Sequence, residues 1–127
     1  MLKTDPAAWS DPRHQQGVEA EVYAAGLLKR CGYDVVEHRF RLHHNDVDLV
    51  ARKGATVVFV EVRYRLTSRL GAPSESVTAR KRQDIARLAS LWMAMNARPG
   101  DMARFDVIGV CGDRVEWLQS AFRPGWR

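Results

Sequence analysis

Cysteine is scarce in this chain: Cys31 and Cys111 stand far apart among 127 residues, with no C-x-x-C pair and no Cys/His pattern at zinc spacing. That excludes a disulfide framework and a structural zinc site, and both residues are expected to be small reduced core positions. No apolar run reaches eighteen residues, and the start Met1 to Pro6 has no apolar h-region. Neither a membrane span nor a secretion signal is expected, and the expected location is cytoplasmic. A glycine-rich phosphate loop, a Ser-His-Asp or Cys-His arrangement, an internal repeat and a low-complexity segment are all missing. These absences argue against P-loop nucleotide chemistry and triad hydrolysis. The adjacent His43 and His44 would point apart on an extended chain, so a loop position fits them better than metal ligation.

Acids are the scarcer charge. Twenty Lys and Arg against fifteen Asp and Glu give +5 and a pI near 9.7, a balance that favours polyanionic partners. Hydrophobic residues at 46% and charged residues at 28% are ordinary for a globular domain. One domain over residues 13–127 is expected, preceded by a flexible arm at 1–12 that carries Pro6 and Pro12 and no apolar period.

Two strand-like runs carry the chemistry. Asn45 to Val50 and Val57 to Arg65 are rich in Val, Leu and Phe and flank Lys53-Gly54-Ala55, which predicts an antiparallel hairpin with its loop at 53–56. Alternation puts Asp46 and Asp48 on one face of the first strand, and Phe59, Glu61 and Arg63 on one face of the second. With Arg52 facing Val57, Asp48 comes opposite Glu61, with their carboxyls within ~4 to 6 Å of each other. Like charges directly opposed destabilise a strand pair, so this pairing calls for a cation: Arg63 two residues on, a metal ion, or both. Mg²⁺ usually takes one or two carboxylates plus water and substrate phosphate, and a basic group alongside would meet the phosphate. The plainer alternative is a surface ion-pair ladder.

Before the hairpin, residues 13–29 show a helical stripe of Val18, Val22, Ala25 and Leu28, closed by Gly32. Glu21 falls inside that stripe. A buried carboxylate needs a partner, either an Arg from the sheet or the acidic site itself, where Glu21 would serve as an outer acid. A first strand at 34–41 leads into the hairpin. After it come a loop at 66–76 and a second helix from the N-cap Thr78 to about Asn96, with a stripe of Ile85, Leu88, Ala89, Trp92 and Met93. Its first turn reads Ala79-Arg80-Lys81-Arg82, cations where helix stability alone would favour acids, and a helix N-terminus attracts phosphate. Seven cations, Arg63, Arg65, Arg69, Arg80, Lys81, Arg82 and Arg87, fall within residues 63–87 against Glu75 and Asp84. Strands at 103–110 and 114–118 follow, the first parallel to the Val57 run across a helical crossover. Asp106 is expected to pair with an Arg such as Arg104, and the aromatic tail to cover the sheet edge.

Five stretches in this order carry a resemblance: Gly17-Val18-Glu19-Ala20-Glu21, Val47-Asp48-Leu49-Val50, Val58 to Arg65, Ser76 to Lys81, and Arg104-Phe105-Asp106-Val107-Ile108. From about Arg13 to Phe122 the chain resembles the bacterial YraN family, and more broadly the PD-(D/E)xK nuclease superfamily of restriction enzymes and Holliday-junction resolvases. The resemblance implies an α/β fold, restriction endonuclease-like, with a mixed five-stranded sheet in order 1-2-3-4-5, strand 2 antiparallel, and helices on both faces. It implies that Asp48 and Glu61 bind Mg²⁺ or Mn²⁺, that Glu21 supplies a third acid, and that Arg63 stands where the superfamily has a lysine. Asn45-Asp46 replaces the usual Gly-Glu before the aspartate. Arg63 stays charged and so can hold phosphate but cannot act as a base. The implied activity is phosphodiester hydrolysis on structured or branched DNA, with Arg65, Arg69, Arg80, Lys81 and Arg82 as nucleic-acid contacts. A binding module that keeps the pocket without cleaving, and a protein-interaction domain with a basic surface, are the alternatives. A homodimer is left open.

Overall fold

The computed structural model describes residues 12–64, 77–112 and 114–122. In chain order these form α1 (Pro12–Arg30), β1 (Asp34–Leu42), β2 (Asn45–Lys53), β3 (Thr56–Tyr64), α2 (Ala79–Asn96), β4 (Met102–Cys111) and β5 (Arg114–Leu118). Residues 1–11 of the expected arm, the expected loop at 66–76 with Arg65 and Arg69, and the tail from 123 lie outside the described residues. The sheet order is β1-β2-β3-β4-β5, with β3 and β4 parallel and every other neighbouring pair antiparallel. This is the restriction endonuclease-like α/β architecture. Strand 2 is not the only reversed one, because β5 also runs against β4. Cys111 pairs with Arg114 across a two-residue connection, which can only turn the chain back. The hairpin turn is likewise tighter than 53–56. Lys53 pairs with Thr56, and Gly54 supplies the left-handed φ of 60° that a two-residue turn demands.

The sheet separates two cores. On one face α1 lays Ala20, Ala24, Ala25 and Leu28 on Leu49, Ala51, Val58, Val60, Ile108 and Val110. On the other, Ile85, Ala89 and Trp92 of α2 meet Val47, Val50, Val57, Phe59, Phe105 and Val107. Phe59 lies against Phe105 at 5.6 Å and Trp92 at 5.8 Å, and Phe122 adds a further ring on Phe105. Burial on both faces explains why β3 reads as a continuous apolar run at Val57 to Val60.

The stripe expected on α1 is shifted. Val22 is 53% exposed, and the buried arc is Ala20, Ala24, Leu28, Glu21, Ala25 and Val18. Three alanines let the helix sit close on a sheet lined by branched side chains, and Val22 falls just past the edge of that arc. The helix ends as expected at Gly32, φ 89°. There Tyr33 N–H donates to Leu28 O and Gly32 N–H to Lys29 O, the paired bonds of a Schellman motif. Thr78 caps α2, its hydroxyl accepting from Lys81 N–H at 3.1 Å. The cysteines are not in the core: Cys31 is exposed where α1 ends, and Cys111 is half-buried at the end of β4.

Candidate functional site

Regular pairing of β2 with β3 runs from Lys53↔Thr56 to Leu49↔Val60 and stops there. One more step would set Asp48 opposite Glu61, but Asp48 instead uses its carboxylate, accepting the Val62 N–H at 2.7 Å. On its other side, β2 pairs Leu49 with His38 and Val47 with Phe40, skipping both Asp48 and Arg39. Alternation fails at the same point, since Val47 and Val50 share the α2-side core while Leu49 and Ala51 share the α1-side core. Arg39 has a left-handed φ of 51°. Asp48 is thus set at a local opening in the pairing of the sheet.

Three acids converge on that opening. Glu61 is 4% exposed and Glu21 7%. Arg63 reaches Glu61 Oε2 at 3.2 Å, and Lys81 lies 3.8 Å from the same atom. The Lys81 ammonium also donates to the Asp46 backbone oxygen at 3.0 Å and to Asp46 Oδ1 at 3.3 Å. Glu21 Oε2 accepts from an Arg39 Nη at 2.6 Å. Glu61 Oε1 is buried and meets no donor.

Burial, and then the charge of Asp48, push the Glu61 carboxyl up to about 8 against the pull of Lys81 and Arg63. Burial raises Asp48 as well, with the Val62 N–H opposing. Glu21 is pushed up to about 7, first by burial and next by Asp48, with Arg39 opposing. These are the signs expected of carboxylates crowded in a poorly solvated place. With both acids ionised, Glu61 Oε1 is an acceptor without a donor. A proton shared with Asp48, or a cation, would satisfy it.

The donor set suits a hard divalent ion in one form only. Among the described residues, no group of three or more His, Cys, Asp or Glu side chains is arranged to hold a metal. Mg²⁺ needs no such set, because it binds through one or two carboxylates and completes its shell with water and phosphate. Asp48 and Glu61 meet that requirement in number, with Glu61 Oε1 buried and without a hydrogen-bond partner while Oε2 is taken by Arg63 and Lys81.

Of the residues singled out in the sequence, Asp48, Glu61, Glu21, Arg63 and Lys81 come together. Arg80 is exposed on the first turn of α2. Arg82 folds back, its Nε donating to Val77 O at 3.1 Å and its guanidinium lying 5.5 Å over the Phe122 ring. Asp106 is held by Arg104 as expected, and also by Trp117 Nε1 and the Ser120 N–H, so all its bonds are structural. Arg39 was not singled out. Its only signal was indirect, the partner that a buried Glu21 requires. Among the described residues no helix is long and apolar enough to cross a membrane.

Residues 20–110 match the profile described as "Uncharacterised protein family UPF0102". A UPF0102 protein of Halorhodospira halophila is 42% identical over 114 residues, covering 90% of this chain and 91% of its own length. One from Bordetella avium is 36% identical over 90% of this chain and 79% of its own, and one from Moorella thermoacetica 39% over 82% and 87%. The matched span runs from α1 through β4 and so takes in Glu21, Asp48, Glu61 and Lys81. On sequence and fold together, the chain belongs to the UPF0102, YraN-like family.

Proposed function

We propose that the protein is a divalent-ion-dependent nuclease acting on structured or branched DNA. The observation that carries this reading is the donor-less Glu61 Oε1, buried beside Asp48 with two cations on its other oxygen. Asp48 and Glu61 would hold a Mg²⁺ or Mn²⁺ ion, which supplies charge neutralisation and polarises the phosphodiester. Arg63, permanently charged, offers its remaining donors to a phosphate oxygen and stabilises the charge that develops there. Lys81 holds the Asp46 backbone in place, and it brings the positive start of α2 against the same phosphate. Arg80, with Arg65 and Arg69 beyond the described residues, would extend the contact along the nucleic acid backbone.

A second reading is favoured by one observation: Arg63 and Lys81 already neutralise Glu61, and no lysine stands at position 63. On that reading the domain binds nucleic acid and cleaves nothing. Cleavage of four-way and flapped DNA with Mg²⁺ or Mn²⁺ separates the two. For a nuclease, Glu61→Gln should slow cleavage by about 10²-fold or more while binding persists, and Arg63→Lys should retain or raise the rate. Wild type and Arg63→Lys both inert on DNA and RNA, with binding intact, would establish the binding module.

A further inference from the structure

Arg39 is assigned no role by the resemblance or by the reading above, yet its setting is unusual in three respects. It takes a left-handed φ of 51° inside a strand. That conformation is costly for a residue with a side chain, and it persists only where the surroundings over-determine it. It stands at the skipped pair beside Asp48. Its side chain is 46% exposed and, among the described residues, gives a single hydrogen bond, to the buried Glu21. A guanidinium has five N–H donors in a fixed fork, so most of them are without an acceptor among the described residues.

The cations around the acidic opening therefore lie on both faces of the sheet. Lys81 enters from α2, whereas Arg39 is held by Glu21 of α1, and the two helices cover opposite faces. We propose that Arg39 binds a phosphate of the nucleic acid substrate on the α1 side of the acid pair, and that Glu21 is its positioning residue. The substrate backbone then crosses the end of the sheet from Lys81 to Arg39, with the reacting phosphate over Asp48 and Glu61 between them. Glu21 contributes by fixing a cation rather than by holding a metal ion. This rests on the nucleic-acid reading above and adds to it the path of the strand.

Binding of a fluorescein-labelled four-way DNA junction, titrated in EDTA across a salt series, tests the assignment without any metal. Arg39→Ala should weaken binding roughly tenfold at low salt and flatten the salt dependence by about 0.9, the loss of one duplex phosphate contact. Arg39→Lys should keep most of that slope. The sign of Glu21→Ala is decisive: a positioning acid lowers affinity when removed, although its removal takes away a negative charge near a polyanion. Raised affinity for Glu21→Ala would make it a mere repelling charge and overturn its role. Unchanged affinity and slope for Arg39→Ala, with both reduced in Lys81→Ala, would overturn the proposal while leaving the nuclease reading in place. A wild-type protein that binds no junction at any salt would remove both. If Glu21→Ala does not fold, the two Arg39 variants decide the question.

Discussion

At the scale of single residues, Glu61 is where fold stability and site chemistry conflict. Its carboxyl keeps a proton to about 8 in the folded state, where an ordinary glutamate loses it near 4.5. Between those values the folded chain binds more protons than the unfolded one, so stability falls as pH rises through the window, and the full penalty stands above it. Glu21, pushed up to about 7, adds the same sign over a narrower range. Urea unfolding at a series of pH values should therefore show wild type weakening from pH ~5 to ~8.5 by on the order of 1 to 3 kcal/mol relative to Glu61→Gln. A wild-type profile parallel to that of Glu61→Gln would mean that the acid is satisfied when charged. Asp48 and Glu61 could be singled out in the sequence because the hairpin register runs towards an Asp48–Glu61 pair, although alternation breaks at Asp48 and the ladder ends one step short. Arg39 was not, because no pattern of residues announces a left-handed turn of the backbone within a strand.

At the scale of elements, the first turn of α2 divides its three cations between two tasks. Lys81 faces the acids and Arg80 faces solvent, while Arg82 is spent on Val77 and Phe122. The combined change Arg80→Ala with Lys81→Ala should lower DNA affinity for all sequences and reduce the salt slope by up to about 0.9 per lost contact. Arg82→Ala should leave that slope nearly unchanged and lower stability by about 0.5 to 1 kcal/mol, read in a thermal or urea melt. The reverse pattern would place the nucleic-acid surface around Arg82. On α1, spacing alone located the helix and its Gly32 end but misplaced the stripe. Alanines at 20 and 24 carry little hydrophobic signal and yet set how closely the helix approaches the sheet.

Across the whole molecule, one buried carboxylate joins parts distant in sequence. Asp106 of β4 accepts from Arg104, from Trp117 of β5 and from the Ser120 backbone, while Arg104 also reaches the Tyr33 hydroxyl beyond the end of α1. Asp106 is fully buried, so Asp106→Ala leaves its donors without an acceptor and should cost roughly 3 to 5 kcal/mol in chemical denaturation. Junction binding by the fraction that still folds should be unchanged, because Asp106 makes none of the contacts of the acidic opening. A loss below about 1 kcal/mol would show that water takes over those bonds.

The order of elements, the cap at Thr78 and the register that brings Asp48 towards Glu61 follow from the sequence by itself. Each depends on local rules: a period of two or 3.6, a capping hydroxyl, a glycine that accepts positive φ. Only the tertiary structure decided that the β2–β3 ladder ends at Leu49, that the Asp48 carboxylate takes the place of a backbone acceptor, and that Arg39 and Lys81 reach the acids from opposite faces. Those features depend on contacts between elements distant in the chain. The close approach of α1 fixes Glu21, and Glu21 in turn fixes an arginine that no rule along the chain connects to it.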